Sequence, residues 1–550
     1  MKSKFILAAL LASFLEISAQ QTPVFKMVKD INPTGDSFPE NLLKVGSKIY
    51  FIADDGTHGK ELWVTDGTET KLVKDINPGS NGSEIYNLQS LNGKLIFTAT
   101  DDTNGNELWT SDGTEAGTVL VKDMYPGSGG SYAFEFVEFN NALYFRSEDG
   151  VHGPELWKTD GTTDGTMMVT DLRQGEFGGN PSFLTVMNGK LYFNAVDGFD
   201  FDNGDHGFEL WVTDGTEAGT KMVKDISADS GYPSNIKAFG NKIYFNADDG
   251  INGIELWASD GTSAGTYLVK NINTGGNGNS IPADFIDLNG KLLFTAYSSE
   301  TGREIWTTDG TEAGTQILKD VFEGPDNGVI PQYKNIIYNN KLYMMLKDAD
   351  HGGEIWVTDG TPEGTQLFVD IFPGPPDSMG VTISPMFFQV MGDHLYFRAL
   401  NSDEYYQLWK SDGTADGTYK ITADPLNPAQ DAVGYTPYFT AMDDKLYFTA
   451  KYNDSGYELW TVAADDAMAV TDIHKNQFAV YPNPVADVMH ISGDAEISNV
   501  QIYDYSGKLW RSESVQSRKT EVNLSSLPKG SYVVSVTSNQ KKSSYKIIKK

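Results

Sequence analysis

Along most of the chain the hydrophobic and polar positions follow one recurring paragraph, written most plainly at residues 236–272. It reads as an apolar stretch IKAFGN, a strand KIYFNA, a turn DDGING, a strand IELWASD, a turn GTSAG and a strand TYLVKNI. Val, Ile, Tyr, Phe and Thr dominate the apolar runs, and Asn-Gly or Asp-Gly pairs punctuate them. This predicts short strands joined by tight turns, with very little helix. Four short strands per unit is the content of a propeller blade.

The repeat is periodic. Its tryptophans fall at Trp63, Trp109, Trp157, Trp211, Trp257, Trp306, Trp356, Trp409 and Trp460, with successive spacings between 46 and 54 residues. Nine copies predict nine blades, or eight if the divergent last unit sits outside the ring. Trp and the Leu or Ile before it point to opposite faces of a strand, so both faces of each sheet need cover, which stacked neighbouring blades provide. In the TDGT turn the Asp side chain can accept backbone N–H groups one or two residues on, and the Gly supplies a positive φ without steric cost. The chain ends add an independent sign of closure. VFKMVKDI at residues 24–31 matches the last strand of a unit, whereas the array stops after the third strand, at Glu458 to Thr461. The N-terminal strand is therefore expected to complete the final blade and remove exposed sheet edges.

These motifs resemble those of the exported bacterial proteins with the ELWxxDGT repeat, over roughly residues 22–463. Gln407 in place of the Glu, and the missing DGT of the last unit, are the departures. The turn is also similar to the Asp-box of sialidases, a structural hairpin of propellers.

Beyond IHKNQ the repeat stops. FAVYPNPVADVMHIS, VQIYDYSGKLW, EVNLSSLPKGSYVVSVTSNQ and SYKIIKK alternate strand patterns with turn residues, as in a small Ig-like β-sandwich. Tyr481, Pro482, Asn483 and Pro484, the Gly507-Lys508 turn, the segment Leu527 to Tyr532 including Gly530, and the terminal Lys549 and Lys550 resemble the type A C-terminal sorting domain of the type IX secretion system of Bacteroidetes. The resemblance implies export by the general secretory route and then across the outer membrane, with that system's machinery and its sortase as partners. It also implies cleavage of the module, followed by release or tethering at the cell surface. Residues 1–20, with Lys2 and Lys4, the apolar run FILAALLASFL and small residues ending in SAQ, read as a secretory signal peptide. The expected plan is an all-β chain: signal peptide 1–20, closed propeller 21–474 and sorting domain 475–550.

Charge and missing residue types narrow the chemistry. The chain has no cysteine, so disulfides and thiolate sites are excluded. The net charge is −33, and residues 475–550 carry eleven Lys/Arg against six Asp/Glu, which leaves −38 on the rest. Such a body repels nucleic acid and anionic membranes. No later stretch approaches the ~18 apolar residues of a membrane span, so no transmembrane segment is expected in the mature chain.

HExxH, GxSxG, P-loop and GxGxxG signatures are missing, and no catalytic or cofactor-binding residue is assigned. A pair of glycosidase carboxylates brought together by the fold would escape a linear reading. A sialidase-like site needs clustered arginines, and the repeat offers only Arg146, Arg173, Arg303 and Arg398 in different units. His58, His152, His206 and His351 occupy one turn position that other units fill with Asn104, Asn252 or Thr301, which fits a turn residue better than a metal ligand. A second series, Asp30, Asp75, Asp123, Asp171, Asp225, Asp320, Asp370 and Asp424 with Asn271 in the remaining place, reads as caps of the crossovers that follow. Its sharper alternative is a circle of cation-concentrating groups.

The leading functional expectation is a noncatalytic extracellular binding or adhesion propeller for glycans or proteins. The alternatives are a carbohydrate-active hydrolase or lyase with its site over the channel, and a structural surface-layer or matrix component. One insertion, DGFDFDNGDHG at 197–207, spaces Asp200, Asp202 and Asp205 as hard oxygen ligands suited to calcium. The prediction is a calcium-dependent rise in melting temperature that Asp202→Ala abolishes; a melt indifferent to chelator would refute it.

Overall fold

Each unit of the repeat folds into an antiparallel four-stranded meander, because its apolar runs are separated by turns too short for any other connection. The computed structural model describes residues 25–550 apart from 201–203, 275–277, 331–334, 372–385, 401–405, 422–432, 434–435, 453–455, 464–477, 482–484, 505–507 and 539–540. The signal-peptide segment, Asp202, Asp424 and the motif residues Pro482, Asn483 and Pro484 therefore lie outside the described residues. Two compact units divide the chain, Met1–Ala467 and Met468–Lys550.

The first unit contains nine four-stranded sheets among the described residues, so the ring has nine blades and not eight. Blade 1 runs Glu40–Val45, Lys48–Asp54, Lys60–Thr65 and Thr70–Lys74, and the following blades repeat that order. Blade 9 consists of Thr440–Met442, Lys445–Ala450 and Glu458–Ala463, and Phe25–Lys29 supplies its outer strand, with Met27 opposite Trp460. First strands pack on first strands: that of blade 9 lies against those of blades 8 and 1, where the Thr440 hydroxyl donates to the Leu42 carbonyl at 2.9 Å. First strands are therefore innermost and the ring is closed.

Packing between blades explains the letters that never change. The central strands are buried on both faces, as in Lys48–Asp54, where Ile49 to Ala53 are all buried. Cores are shared: Tyr50, Leu62 and Val73 of blade 1 meet Leu95, Phe97 and Trp109 of blade 2. Full burial of such a side chain stabilises by roughly 1.5–3 kcal/mol. The DGT glycine is set from outside its own blade. At Gly113 φ is +87°, and an added Cβ would come within 2.8 Å of the Tyr50 hydroxyl of the preceding blade. Gly215, Gly261 and Gly310 face Tyr144, Tyr192 and Tyr244 in the same way.

Within the turn, Asp112 accepts the Thr114 N–H and hydroxyl at 2.9 and 2.7 Å, and the Thr114 hydroxyl accepts the Gly117 N–H at 3.0 Å. Outer strands add straps: Lys29, Lys74, Lys122, Lys224, Lys270 and Lys319 each donate to a threonine carbonyl at the 3–4 turn of the next blade, at 2.7–3.1 Å. Lys29, Lys74 and Lys319 also cover the face of that blade's tryptophan.

The second unit wraps one sheet around its own core. The strand Val488–Asp504 pairs with Phe478–Tyr481 over its first part and with Gly530–Ser538 over its second, while Leu509–Asn523 follows its other edge. Register shifts between Ser492 and Ile497 let the sheet bend. The last strand, Lys541–Lys549, returns beside Val485, which accepts the Lys550 N–H at 2.9 Å. Met489, Ile491, Val500, Ile502, Val534 and Ile547 fill the interior.

Deleting residues 25–31 should leave blade 9 with an open edge. The expected outcome is a lower melting temperature together with oligomers on size-exclusion chromatography; an unchanged monomeric melt would show that this strand does not close the ring.

Candidate binding face

The acidic residues that the repeat brings together serve the backbone. Glu61, Glu107, Glu155, Glu209, Glu255, Glu304, Glu354 and Glu458 are fully or almost fully buried, with Gln407 in the ninth place. Each described carboxylate accepts N–H groups from the start of the crossover leaving its own blade. Glu155 takes those of Leu172, Arg173 and Gly179 at 3.1, 3.1 and 2.7 Å. Glu107 takes those of Met124 and Tyr125, both at 3.0 Å, and Glu458 takes that of Ile31 at 2.9 Å across the chain ends.

Burial pushes the carboxyls of Glu61, Glu107, Glu155, Glu209 and Glu304 up to about 7, and the charge of the neighbouring Asp75, Asp123, Asp171, Asp225 or Asp320 adds to it. Glu255, in the unit where Asn271 replaces the aspartate, is raised by burial alone. The expectation that the aspartate series caps the crossovers is thereby corrected. The glutamate, reaching from the third strand with two oxygens, makes those bonds, and among the described aspartates only Asp320 accepts such a contact, a long one from the Gly324 N–H at 3.4 Å.

The histidines are turn residues. Their Nδ1 atoms pair with Asp55, Asp149, Asp197 and Asp348 at 2.8–2.9 Å. Asn104 and Asn252 pair with Asp101 and Asp249 at 2.8 and 2.7 Å from the same position. Arg146, Arg303 and Arg398 stand in the strands Ala142–Ser147, Gly302–Thr308 and His394–Leu400 of blades 3, 6 and 8, with no convergent guanidinium cluster among the described residues.

In the insertion, Asp205 is occupied by its own turn, where its carboxylate accepts the Asp200 N–H at 2.8 Å. No group of three metal-ligating side chains forms among the described residues. The nine repeat tryptophans all lie on third strands, facing the blade cores. In the second unit Tyr481 is exposed and stacks on His490, whereas Tyr532 is buried with its hydroxyl donating to the Pro528 carbonyl at 2.9 Å. Lys549 is buried beside Asp487, Lys550 is exposed, and Gly530 opens the strand that Tyr532 anchors.

Chemical variety is concentrated elsewhere, on the face that carries the crossovers and the 2–3 hairpins. The carbonyl of the residue before the glutamate accepts the crossover's N–H groups: Tyr457 takes those of Ser37 and Phe38, Phe208 those of Gly231 and Tyr232, and Ile254 those of Ser280 and Ile281. Binding two consecutive N–H groups to one oxygen holds the second residue left-handed. Phe38, Glu84, Tyr132, Asn180, Tyr232 and Ile281 have φ between 42° and 48°. For Ile and the aromatics this conformation is costly, and the surrounding scaffold must impose it. The two seam positions thus share a rigid backbone but hold Lys60 with Glu84, Asn106 with Tyr132, Pro154 with Asn180, Phe208 with Tyr232, Ile254 with Ile281, and Tyr457 with Phe38.

The seam of blade 4 gathers several aromatic rings. Phe208 stacks on Tyr232 with ring centroids 5.5 Å apart and packs on Phe199 at 5.9 Å. The Arg173 guanidinium lies over Phe199 and Phe177 at 5.3 and 5.0 Å. Phe177, Phe199 and Tyr232 are 64%, 44% and 54% exposed, so the platform faces solvent. Sequence reading missed this face because its residues belong to three separate loops; the signal present was variation at positions flanking an unvarying glutamate.

Residues 479–550 match the family of the secretion system C-terminal sorting domain, which marks the chain for type IX secretion and the cell surface. No curated protein matches the chain. Solved structures with similarity include a prolyl endopeptidase, at 10% identity and TM-score 0.36, covering 74% of this chain and 57% of that one. PorZ, a surface component of the type IX secretion system of Porphyromonas gingivalis, is similar at 14% identity and TM-score 0.26, covering 93% and 75%. The β-propeller domain of the Trilobed protease from Pyrococcus furiosus is similar at 11% identity and TM-score 0.32, covering 72% and 100%. No helix among the described residues is long and apolar enough to cross a membrane.

The carboxyl chemistry sets a pH dependence. A glutamate held near 7 against an ordinary value of 4.5 binds its proton more tightly folded than unfolded. Its contribution to stability is complete below the unfolded value and is lost as pH rises through the folded one. The raised histidines act in the same direction, whereas the lowered turn aspartates lose their contribution only as pH falls below 3.8. The melting temperature is expected to be higher at pH 5 than at pH 8, and Glu155→Gln, which copies Gln407, to retain the fold and reduce that difference. A melt that rises from pH 5 to 8 would refute it.

Proposed function

We propose that this protein is an extracellular binding or adhesion module, noncatalytic, whose propeller presents glycan- or protein-binding residues on the crossover face. The mature chain would begin after the signal peptide and lose its sorting domain on arrival at the surface. The observation that carries the reading is the division of labour within each blade. The carboxylates that recur are buried and satisfied by backbone N–H groups, while the residues that differ between blades are exposed on one rigid face. Exposed Phe177, Phe199 and Tyr232 suit the apolar faces of sugar rings or the side chains of a partner.

The test presents the full chain, with calcium, to insoluble and soluble polysaccharides and measures both retention and newly released reducing ends. Retention without cleavage is the expected result. Release of reducing ends that disappears with a single loop carboxylate would replace this reading with a hydrolase.

A further inference from the structure

Two of the seams carry the same aromatic pair, a phenylalanine and a tyrosine, in opposite order. Phe208 and Tyr232 stack at 5.5 Å with an interplanar angle of 28°, and Tyr457 and Phe38 stack at 5.4 Å with an angle of 22°. Both pairs are built on the same backbone device, one carbonyl accepting two consecutive N–H groups. Each is flanked by a cation on an aromatic face: Arg173 on Phe199 beside the first pair, and Lys451 on Tyr457 in the second, 5.6 Å from its ring. Tyr232 is 54% exposed and Phe38 47%, so each pair offers one ring to solvent. The pairs occupy the blade 4–5 and blade 9–1 seams, four blades apart one way around the ring and five the other.

Resting on the binding reading above, we infer that these pairs are two equivalent sites for one neutral polysaccharide chain. Two alike sites on one face of a single polypeptide fit a ligand that repeats along its length, as a polysaccharide does and a folded protein surface does not. Stacked aromatic rings pack against the C–H faces of pyranose rings, and a carboxylate such as Asp36, beside Tyr457, accepts sugar hydroxyls. The −38 carried outside the C-terminal module disfavours a polyanion. A chain long enough to reach both sites gains avidity that a short oligosaccharide lacks.

The experiment uses the full chain in affinity electrophoresis and calorimetry, with xylan and mixed-linkage β-glucan as neutral polymers, their hexasaccharides as monovalent probes, and alginate as the anionic control. The variants are Tyr232→Asn, Phe38→Asn and the double, since Asn180 already adopts this left-handed backbone at an equivalent seam. Thermal melts confirm that the variants fold. The expected result is that each single variant weakens binding of a neutral polymer by more than ~10-fold, but reduces hexasaccharide binding only from two sites to one. The double variant should abolish both.

Polymer binding no tighter than hexasaccharide binding, or glycan binding untouched by these variants, would overturn the two-site inference while leaving the binding reading standing. Preference for alginate, or a protein ligand on this face with no glycan bound, would overturn it equally. Cleavage of the probes would defeat the binding reading itself.

Discussion

The buried glutamate of the third strand is the interaction on which the propeller depends. A crossover must leave the outer strand of one blade and enter the inner strand of the next, and its first N–H groups lie where no strand can pair them. Unpaired, each would cost roughly 1–3 kcal/mol. One carboxylate with two oxygens satisfies two or three of them, and Glu155 does so for Leu172, Arg173 and Gly179. Burial disfavours the charged form and pushes the Glu155 carboxyl up to about 7, while the converging N–H groups oppose that rise. Gln407 occupies the equivalent place without a charge, so the position needs an acceptor oxygen more than it needs ionisation.

The same arrangement determines where variation is permitted. The carbonyl immediately before the glutamate gathers the crossover's N–H groups, so the seam backbone is fixed whichever side chains it carries. Lys60 and Glu84 stand at one seam, Phe208 and Tyr232 at another. A left-handed Ile281 shows that the scaffold prevails over local preference. A rigid frame with independent seams allows one sequence repeat to support many surfaces.

The propeller architecture, the strand order and the closing role of the N-terminal strand were legible in the sequence, because each follows from period and turn chemistry, whereas the repeat count left nine blades or eight open until the ninth sheet was seen. Trp460 without its DGT turn, together with VFKMVKDI at the other end, carried the closure, and Phe25–Lys29 does pair with Glu458–Ala463. The purpose of the recurring acids was less legible. Asp75 and its counterparts looked like caps because they precede the crossovers, yet Glu61, more than ten residues earlier, reaches the same N–H groups across the sheet. Local spacing cannot show a bond made between strands. The aromatic platform was hidden for a related reason: Phe177, Phe199 and Tyr232 come from three loops that meet only once blades stand side by side.

Closure by Phe25–Lys29 also governs how the chain can fold. The Ile31 N–H bonds to Glu458 across a separation of 427 residues, among the longest loops a single domain can be asked to close. Blades 1 to 8 can each form from local hairpins, but the ring stays open until the strand of the ninth tryptophan has formed beside Phe25–Lys29. The early blades are small local units, and the final, slow step awaits the complete chain. Until then the unpaired edge of blade 9 is the part of the molecule most exposed to mispairing.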